Sequence, residues 1–200
     1  MSALRLDLEV ISDWIEPGSR VLDLGCGDGE LLHHLRNHKR VDGLGVEISA
    51  GAVNRCIARG VPVLQLDIES GWRAFDSRAF DYVVMSQAIQ VLKQPDRALE
   101  EILRIGVRGI VTFPNFAHWR ARLALLAGRM PLTPAMPTPW FSTDNIHMCT
   151  VRDFDALLNE RGWHCHRRRV VDHQHRDARR HRWWPNLLGE VATYMLSGPA

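Results

Sequence analysis

The sequence predicts an α/β fold: a doubly wound, mostly parallel seven-stranded sheet that ends in a C-terminal antiparallel hairpin. Three observations predict it. Short apolar runs alternate with helical patterns through the first 113 residues, glycines cluster directly after the first run, and two further strand patterns close the chain. At 200 residues, with 46% apolar and 24% charged residues, the chain is expected to form a single domain with its own buried core.

Five short β-branched runs have the composition of buried parallel strands, with Gly, Pro or Asp at their ends. Helical patterns follow the first two runs at residues 29–38 and 49–60, and Pro95 and Gly106 mark the start and stop of a third helix. Ligands of such sheets bind beyond the carboxyl ends of the strands, so the loops there are the places to search. The five runs span residues 20–24, 44–48, 63–66, 82–85 and 109–113.

The C-terminal part departs from this alternation. After a helix predicted at Val151–Arg161, residues 163–171 and 189–196 both have strand patterns, and a hairpin at the edge of the sheet accommodates them. The segment at 167–184 is strongly basic. We interpret it as a solvated loop; a patch for nucleic acid and a docking surface for an acidic protein are the alternatives. Because no recognition module surrounds it, no nucleic-acid partner is expected.

An insertion at about residues 114–147, called the arm from here on, separates the fifth strand from that helix. The arm begins as an amphipathic helix at 117–127 and then becomes rich in proline. Such a segment cannot continue as a regular helix or strand. It is either an ordered flap over the binding loops or a plain long loop. With Pro114 at its start, it carries five of the ten prolines of the chain.

Several classes of protein and site are disfavoured by composition. No apolar run approaches the ~20 residues that span a bilayer, and the N-terminus lacks the pattern of a secretory signal. The four cysteines are scattered, so we expect free thiols and a cytoplasmic protein without membrane association. The ten histidines lack companion acids or cysteines at ligand spacing, which argues against a metal site.

The stretch LDLGCGDGE has glycines at positions 25, 27 and 29, between the first strand and a helix. Glycine lets the backbone turn tightly and approach a ligand closely. A dinucleotide fingerprint would require Gly or Ala where Glu30 stands, and a P-loop would require Gly-Lys-Ser/Thr, so both are excluded. Asp23 puts a carboxylate at the rim of the loop, which favours a cationic ligand over a pyrophosphate.

Two further acidic residues follow the next two strands. Glu47 ends strand two, where a carboxylate can accept both hydroxyls of a ribose. Asp67 follows strand three, where it can accept a hydrogen bond from an adenine amino group, with Ile68 against the ring. Three acidic positions at successive strand ends are a stronger indication of a nucleoside site than the glycine loop alone.

Four stretches, VLDLGCGDGELL, GVEIS, LQLDIE and FDYVVMSQAIQVL, resemble the successive motifs of class I S-adenosylmethionine-dependent methyltransferases over residues 7–113. The resemblance implies that S-adenosylmethionine or S-adenosylhomocysteine is the cofactor. The alternative is a fold of this type that has lost cofactor binding. Carried over position by position, the implied cofactor-binding residues are Asp23, Gly25, Cys26, Gly27, Glu47, Ile48, Asp67, Ile68, Ser86 and Gln87.

Two longer stretches, FPNFAHWRARLALLAGRMP and WFSTDNIHMCTVRDFDALL, resemble the methionine biosynthesis protein MetW family. That resemblance implies a partner, homoserine O-acyltransferase of the acetyl or succinyl type, whose activity the protein supports or regulates. The sequence contains no G-x-S-x-G elbow, so the acyl transfer would belong to the partner. The alternative is a methyltransferase of unknown acceptor, for which His118 and His147 are candidate bases or else structural histidines.

Overall fold

A seven-stranded sheet forms the centre of the computed structural model, which describes residues 6–171 and 183–199. Its strand order is β3-β2-β1-β4-β5-β7-β6. The first five strands are parallel, and β7 is antiparallel to both β5 and β6. The predicted fold class is therefore confirmed. The strands are β1 (Arg20–Leu24), β2 (Asp42–Glu47), β3 (Val63–Gln65), β4 (Phe80–Ser86), β5 (Gly106–Pro114), β6 (His164–Val171) and β7 (Val191–Ser197).

Helices connect and flank these strands. The bounds of α5 follow from its sequence, because Pro95 occupies the first turn and Gly106 follows the last residue. Two short 3₁₀ helices, Trp72–Ala74 and Ile89–Val91, lie in the connections around β4. The α-helices are α1 (Leu6–Trp14), α2 (Glu30–Lys39), α3 (Ala50–Ala58), α4 (Ile68–Gly71), α5 (Pro95–Ile105), α6 (Trp119–Leu126), α7 (Val151–Arg161) and α8 (Pro185–Leu188).

The central strands are buried on both faces. Side chains alternate along a strand, so Leu22 and Val83 join one apolar cluster while Val21 and Val84 join the other. All four are fully buried. This two-sided burial is the physical reason that these strands have continuous apolar runs instead of alternating ones.

Helix α1 was not expected from the sequence. Its residues Leu8 and Ile11, with Ile15 beyond its end, are buried in the same cluster as Leu31 and Leu35 of α2. The three- and four-residue spacing of these apolar positions is the signal that predicts such a helix. The consequence for the site is that α1 brings Asp7 beside the end of β4.

The arm begins and ends at the same point of the fold. Asn115 forms a bridge with Cys149, and the Phe116 N–H donates to the Cys149 carbonyl at 2.9 Å. The helix of the arm is α6, but Ala121 is its one buried residue. The helix predicted at 117–127 is present, but it does not bury an apolar side, since the leucines of α6 lie on the surface.

The hairpin of the C-terminal part is formed by β6 and β7, with β6 at the edge of the sheet. Most of the basic segment predicted as a loop lies outside the described residues. Its first part, through Val171, belongs to β6, where Arg168 donates to Asp155 at 2.6 Å. In the part of the chain that is described, every helix is too short or too polar to cross a bilayer.

Candidate functional site

The glycine loop connects β1 to α2. Gly25, Gly27 and Gly29 have φ values of 72°, 55° and 72°, the left-handed region that other residues adopt at a cost. The backbone N–H groups of Gly25 and Cys26 both donate to the Val46 carbonyl, at 2.9 and 3.1 Å. The loop is therefore fixed against the end of β2 by main-chain bonds that depend on its glycine conformation.

Glu47, the last residue of β2, binds this loop through its side chain. Its Oε2 accepts a hydrogen bond from the Gly27 N–H at 2.9 Å. Its Oε1 accepts from the N–H groups of Ile48 and Ser49, each at 2.9 Å. One carboxylate thus holds both the glycine loop and the turn into α3. A carboxylate oxygen accepts more than one bond, so Glu47 retains capacity for a hydroxyl donor.

A cavity of about 290 Å³ lies beside the glycine loop. A Cβ placed on Gly27 would meet no atom within 4 Å, whereas one on Gly25 would be 3.2 Å from the Cβ of Ala88. Gly27 therefore leaves room that a ligand can use, and its N–H faces the carboxylate of Glu47. The cavity is lined by Leu8, Asp23, Gly25, Cys26, Gly27, Asp28, Glu30, Leu31, Arg59 and Ser86.

Asp23 and Ser86 approach this cavity from the two central strands. Asp23 lies on β1 and is almost completely buried. Asp23 pairs with Val84 of β4 in the parallel register, and β4 ends two residues later, at Ser86. A buried carboxylate at this wall stabilises a positive charge in the cavity, such as an ammonium or a sulfonium group.

Gln87 completes a polar cluster at the end of β4. It has a φ of 51°, and its N–H donates to the Thr112 hydroxyl at 2.9 Å. Its side-chain amide donates to Asp7 Oδ2 at 2.8 Å, and the Ser86 hydroxyl approaches the same oxygen at 3.3 Å. These bonds join α1 to β4 and β5 and orient the residues that border the cavity.

Asp67 lines a second cavity, whereas the next residue, Ile68, is not part of its lining. The cavity has a volume of about 270 Å³ and lies next to the 3₁₀ helix that begins at Trp72. Asp67 caps α4, and its Oδ1 accepts from the Glu69 N–H at 3.0 Å. Ile68 is half-buried against the core, while Ile48 is 65% exposed. Besides Asp67, the lining consists of Glu69, Ser70, Trp72, Lys93, Gln94 and Arg97.

The strand order relates the two cavities to each other. Because β2 lies between β1 and β3, Glu47 stands between the glycine loop and the segment that begins at Leu66. The Leu66 N–H donates to the Glu47 carbonyl at 3.0 Å. A ligand with a cationic group at Asp23 and an aromatic ring near Asp67 would therefore pass Glu47 at its middle.

Two thiols contact each other at the glycine loop, that of Cys26 from the loop itself and that of Cys56 from α3. Cys26 Sγ and Cys56 Sγ are 3.9 Å apart, and the Cys56 thiol donates to the Gly27 carbonyl at 3.1 Å. Burial, followed by the negative charge of Asp23, raises the pKa of Cys26 far above its ordinary range. Burial also raises the pKa of Cys56. Both groups are neutral packing side chains at neutral pH rather than nucleophiles.

The two histidines considered as bases lie outside the lining of both cavities. His118 is buried, with its Nε2 at 3.8 Å from Glu190 Oε1, and Arg120 reaches the same oxygen at 3.7 Å. His147 is exposed, and its N–H donates to the Gln90 carbonyl at 3.0 Å. A role for either histidine as a base stays a prediction.

Sequence reasoning missed three residues that border the site. Asp7 and Leu8 come from α1, and Arg59 comes from the end of α3. The apolar spacing in α1 could have identified the helix. No local pattern predicts the contact between Asp7 and Gln87, which are 80 positions apart in the chain. Arg59 likewise has no motif around it.

Solved structures share this fold across almost the whole chain. One is a chain of the complex between the Haloferax volcanii Trm112 methyltransferase activator and the putative methyltransferase, with a TM-score of 0.69 and 17% identity. It covers 98% of this chain and 91% of that chain. Another is an S-adenosylmethionine-dependent methyltransferase from Mesorhizobium loti, with a TM-score of 0.68, 17% identity and 95% coverage of both chains. At such identities the likeness shows the fold.

A curated relative is much closer in sequence. The bifunctional methionine biosynthesis protein MetXA/MetW of Rhodopirellula baltica is 35% identical over 167 residues, which are 78% of this chain. The match spans only 27% of that longer protein. The profile of the family described as methionine biosynthesis protein MetW matches residues 5–196. Because this match covers nearly the entire sequence, the chain belongs to the MetW family.

Proposed function

We propose that this protein binds S-adenosylmethionine or S-adenosylhomocysteine in the cavity beside its glycine loop and supports or regulates homoserine O-acyltransferase in methionine biosynthesis. The observation that carries the cofactor part is the hydrogen bond from the Gly27 N–H to Glu47 Oε2. This bond joins the glycine loop to the carboxylate at the end of the neighbouring strand. Along the sheet, Glu47 at the end of β2 lies between Asp23 of β1 and Asp67, which follows β3.

The distribution of carboxylates supports this class of ligand. Asp23 is suited to the cationic amino-acid end of the molecule, Glu47 to the ribose hydroxyls and Asp67 to the adenine amino group. Ile48, which is exposed beside Glu47, offers an apolar face for a base. Ser86 and Gln87 would complete the amino-acid end, since they end the strand next to Asp23.

The name of the Rhodopirellula relative supports the choice of homoserine O-acyltransferase as the partner. Its name joins MetXA to MetW in one bifunctional methionine biosynthesis protein, and the family resemblance implies homoserine O-acyltransferase as the partner. Covalent fusion keeps two proteins at a high effective concentration, which favours pairs that act together. We place this function in the cytoplasm, where the four free thiols of the chain would stay reduced.

Calorimetry and an acylation assay test the two parts separately. The purified protein should release or absorb heat on titration with S-adenosylmethionine or S-adenosylhomocysteine. The homoserine O-acyltransferase of the same genome should co-elute with it and should form O-acylhomoserine faster, or survive heating longer, when it is present. Absence of heat with both nucleosides at millimolar concentration rejects the cofactor part. Failure to co-elute or to change the acyltransferase rejects the partner part.

Methyl transfer to an unidentified acceptor is the second candidate. It is favoured by the polar cluster of Asp7, Ser86 and Gln87, of which Ser86 lines the cavity and could orient an acceptor. A bound sulfonium would supply an activated methyl group, so the protein would need only to align the acceptor and exclude water. Incubation of a cell extract with methyl-labelled S-adenosylmethionine tests it. Label transferred by the wild type but not by a Glu47→Ala variant supports this candidate.

A further inference from the structure

Exposed apolar side chains are concentrated on the arm. Leu126 is 83% exposed, Trp140 71% and Phe141 74%. A water-exposed patch of large apolar residues on this scale is a mark of an interaction surface. The other large apolar residues exposed in residues 114–148 are Trp119, Leu123, Leu125, Met130, Leu132, Ile146 and Met148.

Part of this surface is already shaped as a pocket. A cavity of about 290 Å³ lies in the arm and has Met130, Trp140 and Met148 in its wall. The ring of Trp140 packs edge-on against Phe141 with 5.8 Å between centroids. Aromatic and methionine side chains around a cavity are the usual anchor sites of protein interfaces. The remaining lining consists of Phe116, Pro131, Met136, Thr138, Thr143 and Asn145.

The arm is held to the domain at both ends. Asn115 donates its side-chain amide to the carbonyls of Gly189 at 2.8 Å and Asn186 at 3.1 Å, which fixes α8 at the base of the arm. At the other end, the N–H groups of Ile146 and His147 both donate to the Gln90 carbonyl at 3.0 Å. An anchored surface loses less conformational freedom on binding than a loose loop does.

The charge of the arm indicates what kind of surface fits it. Residues 114–148 contain Arg120, Arg122 and Arg129 but only one acidic residue, Asp144. Arg120 already pairs with Glu190 at 3.7 Å, so Arg122 and Arg129 carry the remaining positive charge. A second copy of this chain docked symmetrically would bring these two like charges together, which opposes a self-associated dimer. An apolar surface with an acidic rim is complementary.

We infer that the exposed apolar side chains of the arm, together with the adjacent Met148, form the surface on which the homoserine O-acyltransferase docks. This inference rests on the proposed function, because the fusion in the Rhodopirellula relative is the reason for choosing this occupant. The acyltransferase would present apolar side chains to the Trp140 and Met148 pocket and an acidic side chain to Arg129, which precedes Met130 of the pocket in the chain. The glycine-loop cavity has no arm residue in its lining, so both can be occupied at once.

A paired-variant binding experiment tests the inference. Trp140→Ser combined with Phe141→Ser removes the exposed aromatic pair, and Arg129→Glu reverses one charge. Val107→Ser is the matched control, because Val107 is 43% exposed and lies near the start of β5, at the opposite end of that strand from the arm. Affinity for the purified acyltransferase is measured for each variant by calorimetry. Binding of S-adenosylhomocysteine and the melting temperature are measured as checks of the fold.

We expect the aromatic double variant to bind the acyltransferase at least ~30-fold more weakly, as for loss of an interface anchor. Arg129→Glu should weaken binding by ~3-fold to 10-fold, and more strongly at low salt. The Val107→Ser control should bind as the wild type does. Nucleoside affinity should be unchanged in all variants.

Four results would overturn the inference. If the arm variants bind the acyltransferase as tightly as the wild type does, the acyltransferase docks elsewhere and the proposed function stands. A wild type that does not bind the acyltransferase removes the partner itself. If the wild type forms a concentration-dependent dimer and the double variant stays monomeric, the surface binds a second copy of the chain. Binding of the wild type, but not the double variant, to anionic lipid vesicles assigns it to a membrane surface.

Discussion

Glu47 Oε2 accepts a hydrogen bond from the backbone N–H of Gly27 at 2.9 Å, across the gap between β2 and the loop that follows β1. The other oxygen of the same carboxylate accepts from Ile48 and Ser49. The side chain therefore acts on two loops at once. Its removal leaves three backbone donors without this acceptor, and it also removes the proposed ribose contact.

Replacing Glu47 with Ala should weaken binding of S-adenosylhomocysteine by ~1–3 kcal/mol, the range for charged hydrogen bonds lost from a partly buried site. The free energy of unfolding should fall by a similar amount, because the donors on both loops lose their acceptor. Calorimetry and urea unfolding measure the two effects.

Asp81→Ala is the matched control for Glu47→Ala. Asp81 also accepts a bond from a backbone N–H, that of Arg20 at 2.7 Å, but it lies near the starts of β1 and β4, away from the site. The Asp81→Ala variant should have a somewhat lower free energy of unfolding and an unchanged nucleoside affinity. Equal loss of nucleoside affinity in the two variants would show that Glu47 contributes only through general stability.

Gly27→Ala should weaken nucleoside binding at least ~10-fold, since its Cβ would occupy the space that the ligand needs. The φ of 55° at Gly27 adds strain of ~1–2 kcal/mol for any L-residue. Gly162→Ala is a matched control, because Gly162 has a φ of 65° and open space around its Cβ position but caps α7. Both variants should lose similar stability, and only the first should lose affinity. Unchanged binding by Gly27→Ala contradicts the assigned cradle.

Alkaline pH should destabilise the protein partly through Cys149. Burial, followed by the charge of Asp153, raises the pKa of this thiol from 9.0 to about 12. Below pH 9 the thiol is protonated in both the folded and the unfolded state, so its contribution to stability is fully present. As the pH rises above 9 the unfolded chain releases this proton first, and stability falls by up to ~1.4 kcal/mol per pH unit until the folded thiol ionises.

Cys149→Ala should reduce the slope of unfolding free energy against pH between about pH 9 and 11. Urea unfolding at several pH values measures it. The variant should start from a lower stability at pH 7, because a partly buried side chain is truncated. A slope identical to that of the wild type would contradict the raised pKa as a source of the alkaline destabilisation.

The nucleoside and the acyltransferase should affect each other through Gln90. Its side-chain Nε2 donates to the Gln87 backbone carbonyl at 2.8 Å. Its backbone carbonyl accepts from the N–H groups of Ile146 and His147 of the arm. If the acyltransferase changes nucleoside affinity by some factor, the nucleoside must change acyltransferase affinity by the same factor. Both factors can be measured by calorimetry with and without the second ligand.

Gln90→Met should reduce the factor by which the nucleoside and the acyltransferase change each other's affinity by at least ~3-fold. The reason is that the hydrogen bond from Gln90 Nε2 to the Gln87 carbonyl is lost. Gln90 Oε1 is buried without a hydrogen-bond partner among the described residues, so methionine should be accommodated at a small cost in stability. Nucleoside affinity of the isolated variant serves as the check of the fold. An unchanged factor would show that the two sites communicate by another route.

Local signals were sufficient to predict the sheet and the glycine loop. Buried parallel strands require continuous apolar runs, and the turn after β1 requires glycine where φ is positive. The bounds of α5 followed from Pro95 and Gly106 in the same way. Acidic residues at the strand ends could be identified because every parallel strand delivers its carboxyl end to the same edge.

The surface of the arm could not be predicted in this way. Residues 117–127 have enough apolar side chains for an amphipathic helix, but which side of α6 is buried depends on the core available next to it. Ala121 is small enough to pack closely, and the leucines around it remain in water. Composition alone cannot distinguish an apolar side chain that packs in a core from one that meets a partner.

The sequence by itself determined the fold class, the tight turn of the glycine loop and the acidic residues at the ends of successive strands, because each follows from a local pattern of residues. The order of these acidic residues along the sheet came from the strand order of the structure. Only the tertiary structure decided that Glu47 binds Gly27, that Asp7 joins Gln87, and that the arm is anchored at Gln90. These contacts join residues far apart in the chain. They depend on how the helices and strands pack, which no local pattern records.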